Sequence, residues 1–360
     1  MASYQVYYRS PQGDLLEIIQ EFTKLEWARK ENEIGAMTLT MPRLIDKSVL
    51  QADSRLEIWR TANGKTSLVG KTCWFLQDWA LASGYMELTA YDANWLLSGP
   101  IVAYDSGTTN AGCTSAAADD VMKAIVRGNL TTDATSDRDI SAWLSVDPDL
   151  TLAQESTKDY SRRRVMPVLQ ELAAESREKG TYLSFDIEYI DSNTLIFKTF
   201  TGCRGTNHGT TSVNPVILSE KFKSLEDVVY TERHGQEYTY VYAGGEGKGT
   251  LRLIEGAEDT TRSRRSPFGR REGWVDARMC STSDALVNEA YAALEAARPV
   301  KMISGKIVET EGCQFMVHYD FGDIVVAQFE EYSIDAHVDA VHGTVENGKE
   351  VLDNRILGYL

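Results

Sequence analysis

Between Tyr238 and Arg278 the chain reads strand, glycine loop, strand, arginine loop, strand (YTYVYAGGEGKGTLRLIEGAEDTTRSRRSPFGRREGWVDAR), with no helix in which a glycine-rich nucleotide site could end. Tyr238, Tyr240 and Tyr242 alternate with Thr239 and Val241, the period of two expected of a strand with unlike faces, so the three rings share one side. Gly244, Gly245, Gly247 and Gly249 allow the backbone to turn or bulge where a side chain would clash, and Leu251 and Leu253 resume the alternation. A hairpin is predicted. Dinucleotide and P-loop sites need their glycines at the mouth of a helix, whose N–H groups and dipole hold the phosphate. Here Lys248 is followed by Gly249 and Thr250 and then by a strand, which argues against a nucleotide site.

A chain of 360 residues has room for two or three domains with substantial cores. Hydrophobic residues make up 42% and charged residues 25%, near the averages for folded domains, which argues against wholesale disorder. Trp27, Trp59, Trp74, Trp79 and Trp95 all fall before residue 100 and mark a dense core there. The formal charge of −16 opposes a sequence-specific DNA binder, which needs a positive field toward phosphate. The acidity serves solubility, or else provides a surface past which nucleic acid slides without sticking. Five widely spaced cysteines (Cys73, Cys113, Cys203, Cys280, Cys313) without a CxxC pair suggest neither a disulfide framework nor a zinc knuckle. The opening MASYQVYYRS has no basic-then-apolar signal pattern, and no apolar run approaches the ~18 residues of a membrane span, so synthesis in a cytoplasm is expected.

The first hundred residues read as strands: 4–8, 15–19, 23–30, 36–41, 55–60, 68–79 and 85–91, with turns at Pro11-Gln12-Gly13-Asp14 and Asn63-Gly64. Short strands between turn signals predict a closed barrel or a sandwich. Two amphipathic helices follow, Ser115 to Arg127 with Gly128 available to end it, and Val165 to Lys179 ended by Gly180. The strands 182–190 and 194–200 can receive their apolar faces, which makes the middle of the chain α+β. After a polar loop from Thr201 to Asn214 strands return, interrupted by one helix at about 281–298. There Ser281 and Asp284 have capping-box spacing, and Leu286, Ala290, Ala293, Leu294 and Ala297 form a stripe that is either core or subunit contact. The closing strands are expected at 300–309, 315–318, 324–329, 333–340 and 355–358, with Asn347-Gly348 as a turn.

No HExxH, GxSxG, kinase or EF-hand pattern occurs, so no catalytic, cofactor-binding or metal-binding residue is assigned. His337 and His342 lie five apart in extended chain, and strict alternation sends them to opposite faces. A carboxylate pair brought together only by the fold stays open as an enzyme alternative. Arg262, Arg264, Arg265, Arg270 and Arg271 form a basic island in an acidic chain. Three readings compete for it: a solvated loop neutralised by Glu255, Glu258, Asp259 and Glu272, an intersubunit clamp on acidic surfaces, or a direct grip on phosphate.

Three ordered blocks resemble the tail-tip, or baseplate, hub proteins of long-tailed bacteriophages: LEWARKENEIGAMTLTMP (25–42) followed by SRLEIWRT; AGGEGKGTLRLI (243–254) with FGRREGWVDAR (268–278); and YDFGDIVVA (319–327) running into the last strands. The resemblance implies a mainly β fold with α+β insertions and two β-barrel domains. The first barrel would span 1–104, completed by strands near 216–234; an α+β insertion would occupy 105–215; a second barrel with an inserted helix would span 235–360. It also implies a non-enzymatic homotrimer whose paired barrels mimic six-fold symmetry. Its expected partners are the distal tail ring protein, the tape-measure protein and tip or fibre proteins, with DNA passing unbound through a channel. Its location would be the virion tail tip. A receptor- or carbohydrate-binding tail module is the main alternative, favoured by exposed Trp rings, whereas buried Trp27, Trp59 and Trp79 would favour the hub. A cell-wall hydrolase is the second.

Overall fold

The computed structural model describes residues 2–42, 49–102, 111–112, 116–156, 159–160, 162–278 and 280–359. The expected boundary at 104/105, the start of the first helix at Ser115 and Cys113 lie outside these residues. The chain divides into two compact units. The larger comprises Met1–Arg177, Thr181–Val229 and Ile303–Gly358, and the smaller is built on Tyr230–Met302.

The N-terminal strands of the larger unit are β1 (Ser3–Arg9), β2 (Leu15–Ile19), β3 (Lys24–Lys30), β4 (Ala36–Pro42), β5 (Arg55–Ala62), β6 (Lys65–Leu68), β7 (Trp74–Leu81) and β8 (Tyr85–Asp92). In β1, β3, β4 and β8 alternation sorts the side chains as the sequence predicts. Tyr4, Val6 and Tyr8, Leu25 and Trp27, Met37, Leu39 and Met41, and Met86, Leu88 and Ala90 are all buried. Burying each large apolar side chain contributes about 1.5–3 kcal/mol, so this stripe is the principal driving force for the sheet. Asn63 and Gly64 take φ of 51° and 76°, the doubly positive geometry of a two-residue hairpin, between β5 and β6.

Residues distant in sequence complete the sheet. The long strand Tyr332–Glu346 pairs antiparallel with β3, setting Val341 opposite Arg29 and Gly343 opposite Trp27. The strand order runs from Asn354–Tyr359 through Tyr332–Glu346 to β3, β4, β8, β7, β5, β1 and β2. No pairing among the described residues closes this path into a barrel. Gly343 lets the strands approach: a Cβ there would lie 2.4 Å from the buried Trp27 ring. Phe315–His318, expected as a strand, is a turn in which Met316 has φ 62° and His318 Nδ1 accepts from the Gln314 N–H at 3.1 Å. The buried residues of Tyr332–Glu346 change phase between Val338 and Val341, where the pairing is irregular. The bulge brings His337 and His342 to the same, less buried face rather than to opposite ones.

The α+β part follows the sequence reading closely. Helix α1 (Ala118–Leu130) and helix α2 (Val165–Glu178) bury Val121, Met122 and Ile125, and Val168, Leu169 and Leu172, against Leu183, Phe185, Leu195 and Phe197. Those last four lie on the antiparallel strands Leu183–Asp191 and Thr194–Thr201. Gly128 does not end α1, which runs on to Leu130. An internal glycine costs about 1 kcal/mol, less than the gain from burying Leu130. Gly180, at φ 87°, ends α2 as expected.

Candidate assembly surface

In the smaller unit the Tyr240–Gly244 strand lies between Ile254–Glu258, antiparallel, and Glu272–Asp276, parallel. The predicted hairpin is present, but its second strand begins at Ile254. Leu251 sits instead in a short turn and is 87% exposed. Val241, Ala243 and Ala257 face helix α4 (Ser283–Ala296; α3 is the single turn Thr260–Ser263), which contributes Leu286, Ala290 and Leu294. The helix stripe is therefore core. Its cap also differs from the expected box, since Thr282 Oγ1, not Ser281, accepts from the Ala285 N–H.

The other face of this sheet carries the tyrosines. The rings of Tyr240 and Tyr242 are 4.6 Å apart, and the Arg270 guanidinium lies 3.9 Å over Tyr240. Arg270 also donates to Tyr242 Oη at 3.1 Å and to Glu272 at 2.7 Å. Arg252 lies 5.2 Å over the half-exposed Trp274. Guanidinium groups held over aromatic rings form a preorganised surface of the residue types that dominate protein interfaces.

The rest of the arginine loop folds around one residue the sequence reading missed. Glu237 is buried and meets Arg265 Nη2 at 2.9 Å, Arg271 Nη1 at 3.0 Å, His234 Nδ1 at 3.0 Å and Arg262 Nη1 at 3.7 Å. Burial opposes its ionisation, but hydrogen bonds from Arg265 and His234 outweigh this and hold the carboxyl below the ordinary glutamate value. Arg262 is further fixed by Asp259, which accepts its Nε at 2.8 Å and its backbone N–H at 3.0 Å as the cap of α3. Arg262, Arg265 and Arg271 are thus brought together, and Arg270 stands apart on the tyrosine face. Arg264 is exposed and has no ion pair among the described residues. Of the acids expected to neutralise the loop, Asp259 and Glu272 do so, whereas Glu258 accepts from Ser263 Oγ. Glu237 lies 25 to 34 residues before its arginines, so local charge patterning could not reveal it.

A second charged network lies inside the larger unit. Arg29, 3% exposed, donates Nε to Asp92 at 2.9 Å and Nη2 to Asp186 at 2.7 Å. Arg204 donates its Nε to the other oxygen of Asp186 at 2.7 Å, and both guanidiniums lie 5.0 Å from the Phe321 ring. Five separate stretches of the chain meet here. Burial raises the Asp186 carboxyl less than Arg204 and Arg29 lower it, leaving it below the usual aspartate range; at Asp92 burial wins and the shift is upward. The signal was present in the alternation, since Arg29 is in phase with Leu25 and Trp27, and Asp92 with Leu88 and Ala90.

Among the described residues no group of three or more His, Cys, Asp or Glu could hold a metal ion. Cys73, Cys203, Cys280 and Cys313 are free thiols. His337 stacks on Tyr182 at 4.1 Å, while His342 faces Glu26 at 3.3 Å, so the two serve separate contacts. The tryptophans divide: Trp27 is buried, Trp59 is half-buried beside Tyr7, and Trp79 is 40% exposed.

In fold, the chain is similar to the 43 kDa tail protein of prophage MuSo2 from Shewanella oneidensis, with TM-score 0.55 at 12% identity over 99% of this chain and 98% of that one. It is similar to the tail protein from Neisseria meningitidis MC58, with TM-score 0.56 at 11% identity over 99% and 96%. Prophage tail protein gp18 from Listeria monocytogenes EGD-e gives 0.53 at 12% over 99% and 94%. No curated protein matches the sequence. The model of the siphovirus ReqiPepy6 Gp37-like protein family matches residues 5–356. With nearly the whole chain matched, the protein belongs to the siphovirus ReqiPepy6 Gp37-like family, and it has the mainly β fold of phage tail proteins.

Proposed function

We propose that this chain is the structural hub of a bacteriophage tail tip or baseplate. In this reading it is a homotrimer in the virion that seats on the hexameric tail ring and joins it to tape-measure, tip or fibre proteins. It lines or closes the channel through which DNA leaves. The observation that carries the reading is end-to-end correspondence: one phage family spans residues 5–356, and phage tail proteins share the fold over 99% of the chain. The division into a first barrel over 1–104, an α+β insertion over 105–215 and a second barrel over 235–360 belongs to the same proposal. The net charge of −16 suits a lumen that repels phosphate.

The arginine loop supplies a specific contact within this proposal. Arg262, Arg265 and Arg271 brace the loop through Glu237, which leaves Arg264, without an ion pair among the described residues, and Arg270, exposed together with its partner Glu272, to meet acidic groups of a neighbouring copy. The double variant Arg264→Glu, Arg270→Glu should shift the purified protein from trimer toward monomer by light scattering, with an unchanged circular dichroism spectrum. An unchanged oligomer would remove these arginines from the interface.

A further inference from the structure

Among the described residues of the larger unit four arginines are less than 10% exposed: Arg29, Arg55, Arg60 and Arg204. Three of them are neutralised within the chain, Arg29 by Asp92 at 2.9 Å, Arg60 by Glu350 at 2.7 Å and Arg204 by Asp186 at 2.5 Å. Arg55 is the exception. It is 3% exposed, and no carboxylate among the described residues lies within ion-pairing distance. Its Nη2 donates to the Pro11 carbonyl at 3.1 Å, its guanidinium lies 5.3 Å from the Trp143 ring, and its Nε has no acceptor. A cation–π contact is worth roughly 0.5–2 kcal/mol, short of the several kcal/mol that burying an unpaired ion costs.

Arg55 forms part of the wall of a cavity of about 320 Å³. The remaining wall is largely apolar and aromatic, with Phe75, Trp95, Ile140, Trp143 and Leu195. That volume is at the lower end of small-ligand sites (~300–1,000 Å³), enough for one aromatic or branched aliphatic group. Asp53, also at the wall, is exposed and accepts from Gln77 Nε2 at 3.0 Å.

We propose that this pocket binds an apolar monocarboxylate, with the carboxylate pairing with Arg55 and the apolar body packing between Phe75, Trp95 and Trp143. The carboxylate completes the buried arginine as aspartate and glutamate complete the other three. Two sources share this chemistry, a small organic acid and the free C-terminal residue of a partner polypeptide.

The test titrates the full chain with phenylacetate and with its neutral isostere phenylacetamide, read by calorimetry and by the fluorescence of the two wall tryptophans. A tripeptide Ala-Ala-Phe is compared in parallel as free acid and as amide. The acids should bind saturably, and at least about tenfold more tightly than the amides, as expected for a charge-assisted hydrogen bond. Binding by the tripeptide acid assigns the site to a chain terminus, and binding by phenylacetate alone assigns it to a small acid. Arg55→Met should abolish the preference for acid and leave the melting temperature unchanged or higher, because an unpaired buried charge is removed. Ile140→Trp, which fills the cavity and keeps Arg55, should abolish binding of both acids. The proposal is overturned if neither acid binds saturably, if acid and amide bind equally, or if either variant binds as the parent does.

Discussion

Replacing Asp186 with Ala should be among the most damaging single changes in the larger unit. Asp186 is 1% exposed and its two oxygens are shared between Arg29 and Arg204, each at 2.7 Å. Its loss leaves Arg29 with Asp92 alone, and Arg204 with Glu188 at 3.7 Å. Breaking a buried ion pair from one side typically costs about 3–5 kcal/mol, because the surviving charge stays out of water. At about 2–4 °C per kcal/mol for a unit of this size, the melting temperature should fall by roughly 10 °C in scanning calorimetry. Glu220→Ala, at an exposed turn, is the control and should shift stability by less than about 0.5 kcal/mol. The acid limb gives a second reading. The folded carboxyl titrates below its ordinary value, so its stabilisation is complete above the unfolded value and is lost as pH falls through the folded one. Asp186→Asn should therefore lose the part of the stability decline below about pH 4 that Asp186 carries. A loss under about 1 kcal/mol for the alanine variant would refute the view that this network holds the unit together.

Two further predictions concern single positions. Burial pushes Glu31 up to about 7, with Tyr182 Oη bonded to it, so the folded state holds a proton that the unfolded state releases above its ordinary value of 4.5. Stability should fall as pH rises from about 4.5 to 7, and Glu31→Gln should remove up to about 3 kcal/mol of that fall in denaturant titrations at several pH values. Asp339, pushed by burial up to about 6, adds to the slope, while His337, drawn by burial down to about 4, opposes it. An unchanged slope in the glutamine variant would contradict the assignment. Gly343→Ala should cost about 1–3 kcal/mol, because its Cβ would meet the buried Trp27 ring at 2.4 Å, and a neutral result would show that the two strands can separate at that point.

Much of the local structure was legible in the sequence because period and turn chemistry act over short distances. Leu25 and Trp27 in β3, the apolar faces of α1 and α2, and the Asn63-Gly64 turn all follow from residues a few positions apart. Pairings between distant segments were not legible. Nothing near Trp27 reports that Gly343 will lie opposite it, and nothing near Arg271 reports that Glu237 will bind it. The buried charges fell between the two cases. Alternation already put Arg29 and Asp92 on the inner faces of their strands, but their shared partner lies on another element of the fold. Arg55 shows the remaining gap, since an unpaired buried arginine is recognised only once every neighbour has been placed.

The hub reading rests on assembly around an axis, and particle symmetry tests it most directly. Electron microscopy of the purified full chain should give rings of three copies with an acidic central passage. A monomer, or a ring whose lumen is lined mainly by lysine and arginine, would contradict it.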